Sequence, residues 1–292
     1  MTQLVTAGPA IARAPRGRAL RRLIRTPLSL CGLALMAVVV LAAALAPVIA
    51  PHPPAGVNFE APFQLPGTVG YLLGTDDLGR DILSRMLYGI RTSLLIGAIS
   101  VVLAVVAGVP LGLAAGYWRW LDAPISRLND VALAFPFLVL AIALAAIAGP
   151  SPANAAIALG VAQVPVMLRV VRGETLRLRE SEFVQAAITM NASGARIVWQ
   201  HVLPNCASAV VIQATVIMPV AVLGEAVLSF LGLGIQPPDP SLGIMLSDAQ
   251  QYLSRTPWPA LFPGLAIIAI CLAFNIVGDG LRDVLDPTSD SR

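Results

Sequence analysis

The chain has 292 residues and no lysine; all 19 basic residues are arginine. That absence decides one question at once. A phosphate-binding P-loop needs a lysine to reach the β- and γ-phosphates, so any ATP spent on this chain's behalf must be bound by another subunit. Charge is scarce too: 12% of residues are charged and 57% are hydrophobic, against about 25% charged in soluble domains. Mean hydropathy is +0.80. The only histidines, His52 and His201, are expected on opposite membrane faces and cannot form a joint metal site. Three cysteines, Cys31, Cys206 and Cys271, lie in or beside apolar runs without ligand spacing and read as small buried hydrophobes. No Ser/His/Asp, HExxH or Cys/His grouping is present, which argues against a membrane enzyme.

The few charges are clustered, and the gaps between them are long. Segments without Asp, Glu or Arg run over 26–59, 92–118, 131–168, 197–224 and 256–278. A transmembrane helix needs about 20 apolar residues, so each gap holds at least one. The gap at 131–168 is too long for one span and contains Gly149-Pro150-Ser151-Pro152, a helix-breaking cluster that splits it in two. Six spans result, placed at 28–50, 92–116, 125–148, 153–172, 207–231 and 260–281. The first follows Arg13, Arg16, Arg18, Arg21, Arg22 and Arg25 and superficially resembles a secretory signal. Its apolar run reaches from Pro27 to Ala50, longer than the typical h-region of about 7–15 residues, and five more spans follow.

Arginine placement orients the chain. With both termini inside, the inner segments hold Arg13, Arg16, Arg18, Arg21, Arg22, Arg25, Arg119, Arg127, Arg169, Arg172, Arg177, Arg179, Arg196, Arg282 and Arg292. The outer segments hold Arg80, Arg85, Arg91 and Arg255. The expected organisation is a basic cytoplasmic tail at 1–27, a first span and outer loop at 28–91, a permease domain at 92–282 and a cytoplasmic tail at 283–292. The outer loop ends in LGTDDLGRD (73–81). Thr75, Asp76 or Asp77 could cap a helix there, and Ile82, Met86 and Ile90 suggest that it lies on the outer membrane surface with Arg85 turned elsewhere. Dense small residues such as Gly108, Gly112, Ala114, Ala115 and Gly116 are read as helix-packing positions.

The polar interlude at 173–206 is the most distinctive inner segment. Ser181 can cap a short helix with Glu182 in its first turn, and Phe183, Ala187 and Met190 fall at i, i+4 and i+7 as one apolar stripe. Asn191-Ala192-Ser193-Gly194 interrupts it, because Asn and Gly tolerate left-handed backbone. A second helix from Ile197 to Pro204 is expected to lead back to the membrane. A bulky Phe on an Ala-rich face suits a knob entering a partner's groove; a helix lying on the lipid surface is the alternative.

Gln185-Ala186-Ala187, Asn191 and His201-Val202-Leu203-Pro204 together resemble the EAA motif of ABC-transporter permeases. Gln185 stands where that motif has Glu, and Asn191 where it has Gly. LGTDDLGRDILS (73–84), then LSFLGLG, QPP and PSLGIML within 225–246, and FNIVGDGLRD (274–283) followed by Leu285-Asp286-Pro287, resemble the OppC/DppC type of permease. The resemblance implies an all-α, six-span type I importer fold, called MetI-like, with a cytoplasmic coupling helix. It implies a bacterial inner-membrane location and a second, OppB/DppB-like permease. Two ATPases of the OppD/OppF or DppD/DppF kind would bind ATP and Mg. An extracytoplasmic binding protein would deliver di- or oligopeptides, with nickel, metallophore or glutathione-like cargo as alternatives. No cofactor is expected on this chain, and the bilayer rather than nucleic acid is its medium. The residues 183–195 would form the coupling helix, so Phe183, Gln185, Ala186, Ala187, Met190, Asn191, Gly194, His201, Leu203 and Pro204 are the candidate ATPase-coupling residues.

Within the spans, Glu225 is the sharpest single candidate, because intramembrane ionisable groups mark gates, interfaces or routes. It sits near the outer end of its span, where shallow burial and a gate role are expected. Gln163 and Gln213 could line a pathway, though hydrogen bonds between helices suit them better. Asp279 and Arg282 are spaced for an i, i+3 ion pair. A secondary transporter, the remaining alternative, should carry ionisable groups near mid-membrane and an internal repeat, and neither stands out.

Overall fold

The computed structural model describes residues 27–285. The basic tail expected at 1–27 lies almost wholly outside the described residues, as does the end of the tail expected at 283–292. Ten α-helices are described: α1 Pro27–Ile49, α2 Ile82–Tyr117, α3 Arg119–Leu133, α4 Phe137–Ala148, α5 Pro152–Arg179, α6 Glu182–Thr189, α7 Gly194–Ile197, α8 Leu203–Phe230, α9 Leu242–Ala249 and α10 Trp258–Leu285. Among the described residues five helices are long and apolar enough to cross a membrane, and the bent pair α3–α4 gives a sixth span when its two halves are counted as one.

The centre of the bundle is the parallel pair α2 and α5. Gly108, Gly112 and Gly116 fall every four residues along α2 and meet Met167, Val171 and Thr175 of α5. A Cβ on these glycines would lie 2.8, 2.7 and 2.5 Å from the facing Cβ atoms. Only the missing side chain lets the two backbones approach this closely, which is how helices associate where no hydrophobic drive operates. Helix α8 runs antiparallel to both, and α1 and α10 pack together beside it, with Gly32 against Ile276.

Three departures from the sequence reading have physical causes. The surface helix expected at 82–90 is instead the first quarter of α2. At 36 residues, α2 is about 54 Å long, well beyond a hydrocarbon core of about 30 Å. It is capped by Asp81, which accepts from Ser84 N at 2.9 Å. Thr75, Asp76 and Asp77 do not cap it, because the chain from Asp76 to Arg80 closes on itself: Asp76 Oδ1 accepts from the backbone N–H of Leu78 and of Arg80.

The span expected at 125–148 is broken. Its halves α3 and α4 meet at 89°, at Ala134-Phe135-Pro136, where proline disfavours helix in the residue before it. The polar α3 is held to α5 by Arg172, which grips both oxygens of Asp122 (2.6 and 3.1 Å), and by Arg169 near Asp130.

Helix α5 extends to Arg179, seven residues past the expected end of its span. Arg177 pairs with Glu174 within it, and Arg177 and Arg179 suit the negative end of the helix dipole. The polar sequence there continues a helix; it does not begin a loop.

Candidate functional site

Two regions hold the residues singled out by sequence, at opposite ends of the bundle. At the arginine-rich end, α6 and α7 connect α5 to α8. Asn191 adopts φ 59°, the left-handed turn anticipated for it, and Ser193 caps α7. Ser181 precedes α6, but its hydroxyl donates back to Leu178 O and leaves α6 without a side-chain cap. Gly194 lies against the ring of Tyr117 at the end of α2.

No turn interrupts the chain at Leu203-Pro204. Residues Val198–Val202 form one widened helical turn, and Gly194–Phe230 continues as a single 37-residue rod. The wide turn absorbs a proline that cannot donate to the helix ladder. His201 and Leu203 are half-buried on this rod, and Pro204 is exposed.

The expected apolar stripe of α6 divides between two sides. Ala187, 3% exposed, and Val184, fully buried, join a core with Leu178, Ile197, Val198, Val202 and Cys206, and Phe183 packs partly onto it. Gln185, Ala186 and Met190 face outward, with Met190 77% exposed. Ile188 and Trp199, absent from the sequence reading, add exposed apolar surface at the same end. The i+7 spacing failed because α6 stops at Thr189, so Met190 has left the helix whose stripe it was assigned to.

Gln185 donates from Nε2 to the carbonyl of Arg179 at 2.9 Å, which satisfies an open acceptor at the end of α5. A glutamate carboxylate at this position could only accept. One of the two residues at which this chain departs from the EAA pattern therefore ties α6 to α5.

At the opposite end, the Glu225 side chain is 0% exposed, so the shallow burial expected from its place near a helix end is corrected. Its Oε2 accepts from Ser93 of α2 at 2.5 Å, and its Oε1 accepts from Ser229 and Ser241, each at 2.8 Å. Depth along a helix does not predict burial here, because the outer chain folds back over the helix end. Gly243 of α9 presses on α8 so closely that a Cβ would lie 2.2 Å from Ala226 O.

Next to it lies an ionic network that the sequence did not suggest. Arg80 reaches Asp76 at 2.6 Å, Asp248 at 3.1 Å and Asp77 at 3.4 Å. Arg85, read from sequence as pointing away, is 2% exposed; it bonds Asp76 and reaches Asp248 at 3.2 Å. Burial, then the neighbouring Asp76, pushes the Asp77 carboxyl above its ordinary range, against the pull of Arg80. Asp76 and Asp77 were read only as possible helix caps, and Asp248 lies 163 residues beyond Arg85 and had no local signal.

Gln163 is buried in α5 and Gln213 half-buried in α8. Among the described residues neither has a hydrogen-bond partner, and neither joins Glu225, so the interhelical bonds expected of them are not made. Asp279 and Arg282 form no ion pair with each other. Both are exposed, where such pairs contribute about 0–1 kcal/mol, and they line a small crevice with Thr215 and Asn275.

Comparison with known proteins agrees with this architecture. Residues 108–290 match the family described as the binding-protein-dependent transport system inner membrane component. The chain belongs to that family. Residues 15–66 also match the N-terminal TM domain of oligopeptide transport permease C. The dipeptide transport system permease protein DppC of Alkalihalophilus pseudofirmus is 43% identical over 281 residues, covering 96% of this chain and 92% of that one. DppC of Escherichia coli is 44% identical, covering 88% and 87%. The glutathione transport system permease protein GsiD of Pectobacterium atrosepticum is 44% identical, covering 74% and 72%. Among solved structures, the inward-facing MetNI methionine ABC transporter aligns with a TM-score of 0.59 at 19% identity, over 68% of this chain and 95% of that one. That likeness shows the MetI-like fold. The chain is a multi-pass membrane permease of the ABC type.

Proposed function

We propose that this chain is the permease subunit of a bacterial inner-membrane importer for di- and oligopeptides. The observation that carries the substrate class is the 43% identity to a dipeptide permease across 96% of the chain. In this reading the arginine-rich end faces the cytoplasm. A second, related permease completes the pathway, an extracytoplasmic binding protein delivers the peptide, and two ATPases supply ATP hydrolysis with Mg. A chain without lysine cannot supply the P-loop itself, so this subunit transports and does not catalyse.

The α6 region is the ATPase-docking element. Its inner side, Val184 and Ala187, fixes α6 to the bundle, while Gln185, Ala186, Ile188, Met190 and Trp199 offer the surface an ATPase groove would cover. Asn191 and Gly194 set the turn between α6 and the rod, and His201, Leu203 and Pro204 lie on the rod itself. Movement of α6 would be passed to α8 and so rock the bundle between its inward- and outward-open forms. Glu225 is the gate residue at the outer end, and Gln163 and Gln213, which make no hydrogen bond to another helix among the described residues, are the polar positions open to a pathway role.

A glutathione-like cargo is the second reading, favoured by the 44% identity to a glutathione permease over 74% of the chain. The test is uptake by liposomes containing the complete transporter, ATP inside and the binding protein outside. Peptide import dependent on both supports the first reading. Import of glutathione without import of unmodified di- and tripeptides would replace it with the second.

A further inference from the structure

We propose that Glu225 is the outer end of a mechanical link that begins at α6, and that it passes movement of α8 to α9 and α2 through serine hydroxyls. The inference rests on the importer reading and deepens its account of coupling. Gly194–Phe230 is one rod of 37 residues, about 55 Å long. One end of it shares a packed core with Val184 and Ala187 of α6. Glu225 lies at the other end, five residues before the rod stops at Phe230.

The hydrogen bonds there have a fixed direction. Ser229 Oγ accepts from Ile235 N at 3.2 Å, and Ser241 Oγ accepts from Gly243 N at 3.1 Å. Each hydroxyl is then left to donate, and both donate to the same oxygen of Glu225. The carboxylate therefore holds, through two serines, the returning chain at Ile235 and the first turn of α9. Its second oxygen holds α2 through Ser93. A Cβ on Gly234 would lie 2.4 Å from Ser229 Oγ, and one on Gly89 would lie 3.1 Å from Leu242 N. The glycines let the outer chain come near enough for short hydroxyls to bridge.

The far end of α9 is fastened as well. Asp248 is gripped by Arg80, just before α2, and by Arg85 within it. Helix α9 is thus fastened to the start of α2 at its far end through Asp248, and at its first turn to Glu225 of α8, which in turn accepts from Ser93 of α2. Glu225 is the side chain through which a shift of α8 reaches both α9 and α2 by directed hydrogen bonds, alongside the chain that joins α8 to α9 and the close packing of Gly243 on Ala226.

The test uses the complete transporter, with both permeases, the ATPases and the binding protein carrying its co-purified ligand, reconstituted in liposomes. The readout is the ratio of ATP hydrolysis with binding protein to hydrolysis without it, alongside uptake. In E225A the ratio should fall about fivefold or more, the range of ordinary coupling energies. S241A, which cuts only the α9 contact and leaves Glu225 on two hydroxyls, should lower it in the same direction. E225Q should restore most of the ratio, since its amide oxygen can accept from Ser229 and Ser241 while its nitrogen donates to Ser93. An assembled E225A or S241A complex with an undiminished ratio would overturn the link, as would an E225Q no better than E225A. A wild-type complex with no stimulation by the binding protein would overturn the importer reading itself, which separates the two failures.

Discussion

The two ends of this molecule are held together by opposite means. At the outer end, buried charge and directed hydroxyls do the fastening: two arginines against Asp76, Asp77 and Asp248, and three serines on Glu225. At the arginine-rich end, α6 is held by apolar burial and one amide hydrogen bond, and it leaves Met190 and Trp199 in the open. The outer end pairs most of its buried charge within the chain, although His52 Nδ1, Asp81 Oδ1 and Arg85 Nε have no hydrogen-bond partner, and Phe59, Val69 and Leu72 are exposed there. The α6 end keeps Ile188, Met190 and Trp199 uncovered, the surface on which the proposed docking would take place. The contrast is between an end fastened by ions and hydroxyls and an end fastened by apolar burial.

The sharpest way to break the outer end is R85A. It leaves the buried Asp76 and the half-buried Asp248 with Arg80 as their remaining arginine, and losing one partner of such a network costs up to about 3–5 kcal/mol. The expected outcome is a large fall in thermal stability and in folded yield from the membrane, read by fluorescence-detected size exclusion. At the α6 end, A187E and M190E separate holding from docking. A187E puts a charge into the core beside Ile197 and Val198 and should expose the 181–205 region to limited proteolysis. M190E should leave that protection intact and weaken ATPase association by about 2 kcal/mol, roughly thirtyfold, in a pull-down titration. Equal protease sensitivity in both variants would erase the distinction between the two faces of α6.

Smaller effects sharpen the same picture. Q185E exchanges a donor for an acceptor facing the Arg179 carbonyl and should cost about 1 kcal/mol, seen as faster hydrogen exchange in α6 than in the wild type. N191G should change stability by less than about 0.5 kcal/mol, since a left-handed position accepts glycine without strain, whereas N191V should cost about 1–2 kcal/mol. Thermal unfolding of the three proteins side by side distinguishes these.

Much of the fold was legible because a bilayer imposes simple rules. The first span was expected at 28–50 and α1 runs Pro27–Ile49; the Gly108–Gly116 stripe was read as packing and packs on α5. The turn at Asn191 followed from the tolerance of Asn for positive φ. What failed was long-range or angular. Apolar content alone could not reveal the 89° break between α3 and α4, since both straight and bent segments satisfy the same hydropathy window. Met190 was placed on a helix that ends one residue earlier. Glu225 was judged by its distance from a helix end, while its burial depends on Ser93, 132 residues away, and on a loop folded back by Gly243. Arg85 was misread for the same reason, because the carboxylate that shares it with Asp76 comes from α9.

The central claim is that this permease moves its substrate only as part of an ATP-driven assembly, and affinity purification from native membranes in mild detergent tests it most directly. The account predicts that a related permease and P-loop ATPases come with the chain, and that the complex hydrolyses ATP faster when loaded binding protein is added. A chain that purifies alone and carries solute across liposome membranes without ATP would contradict it.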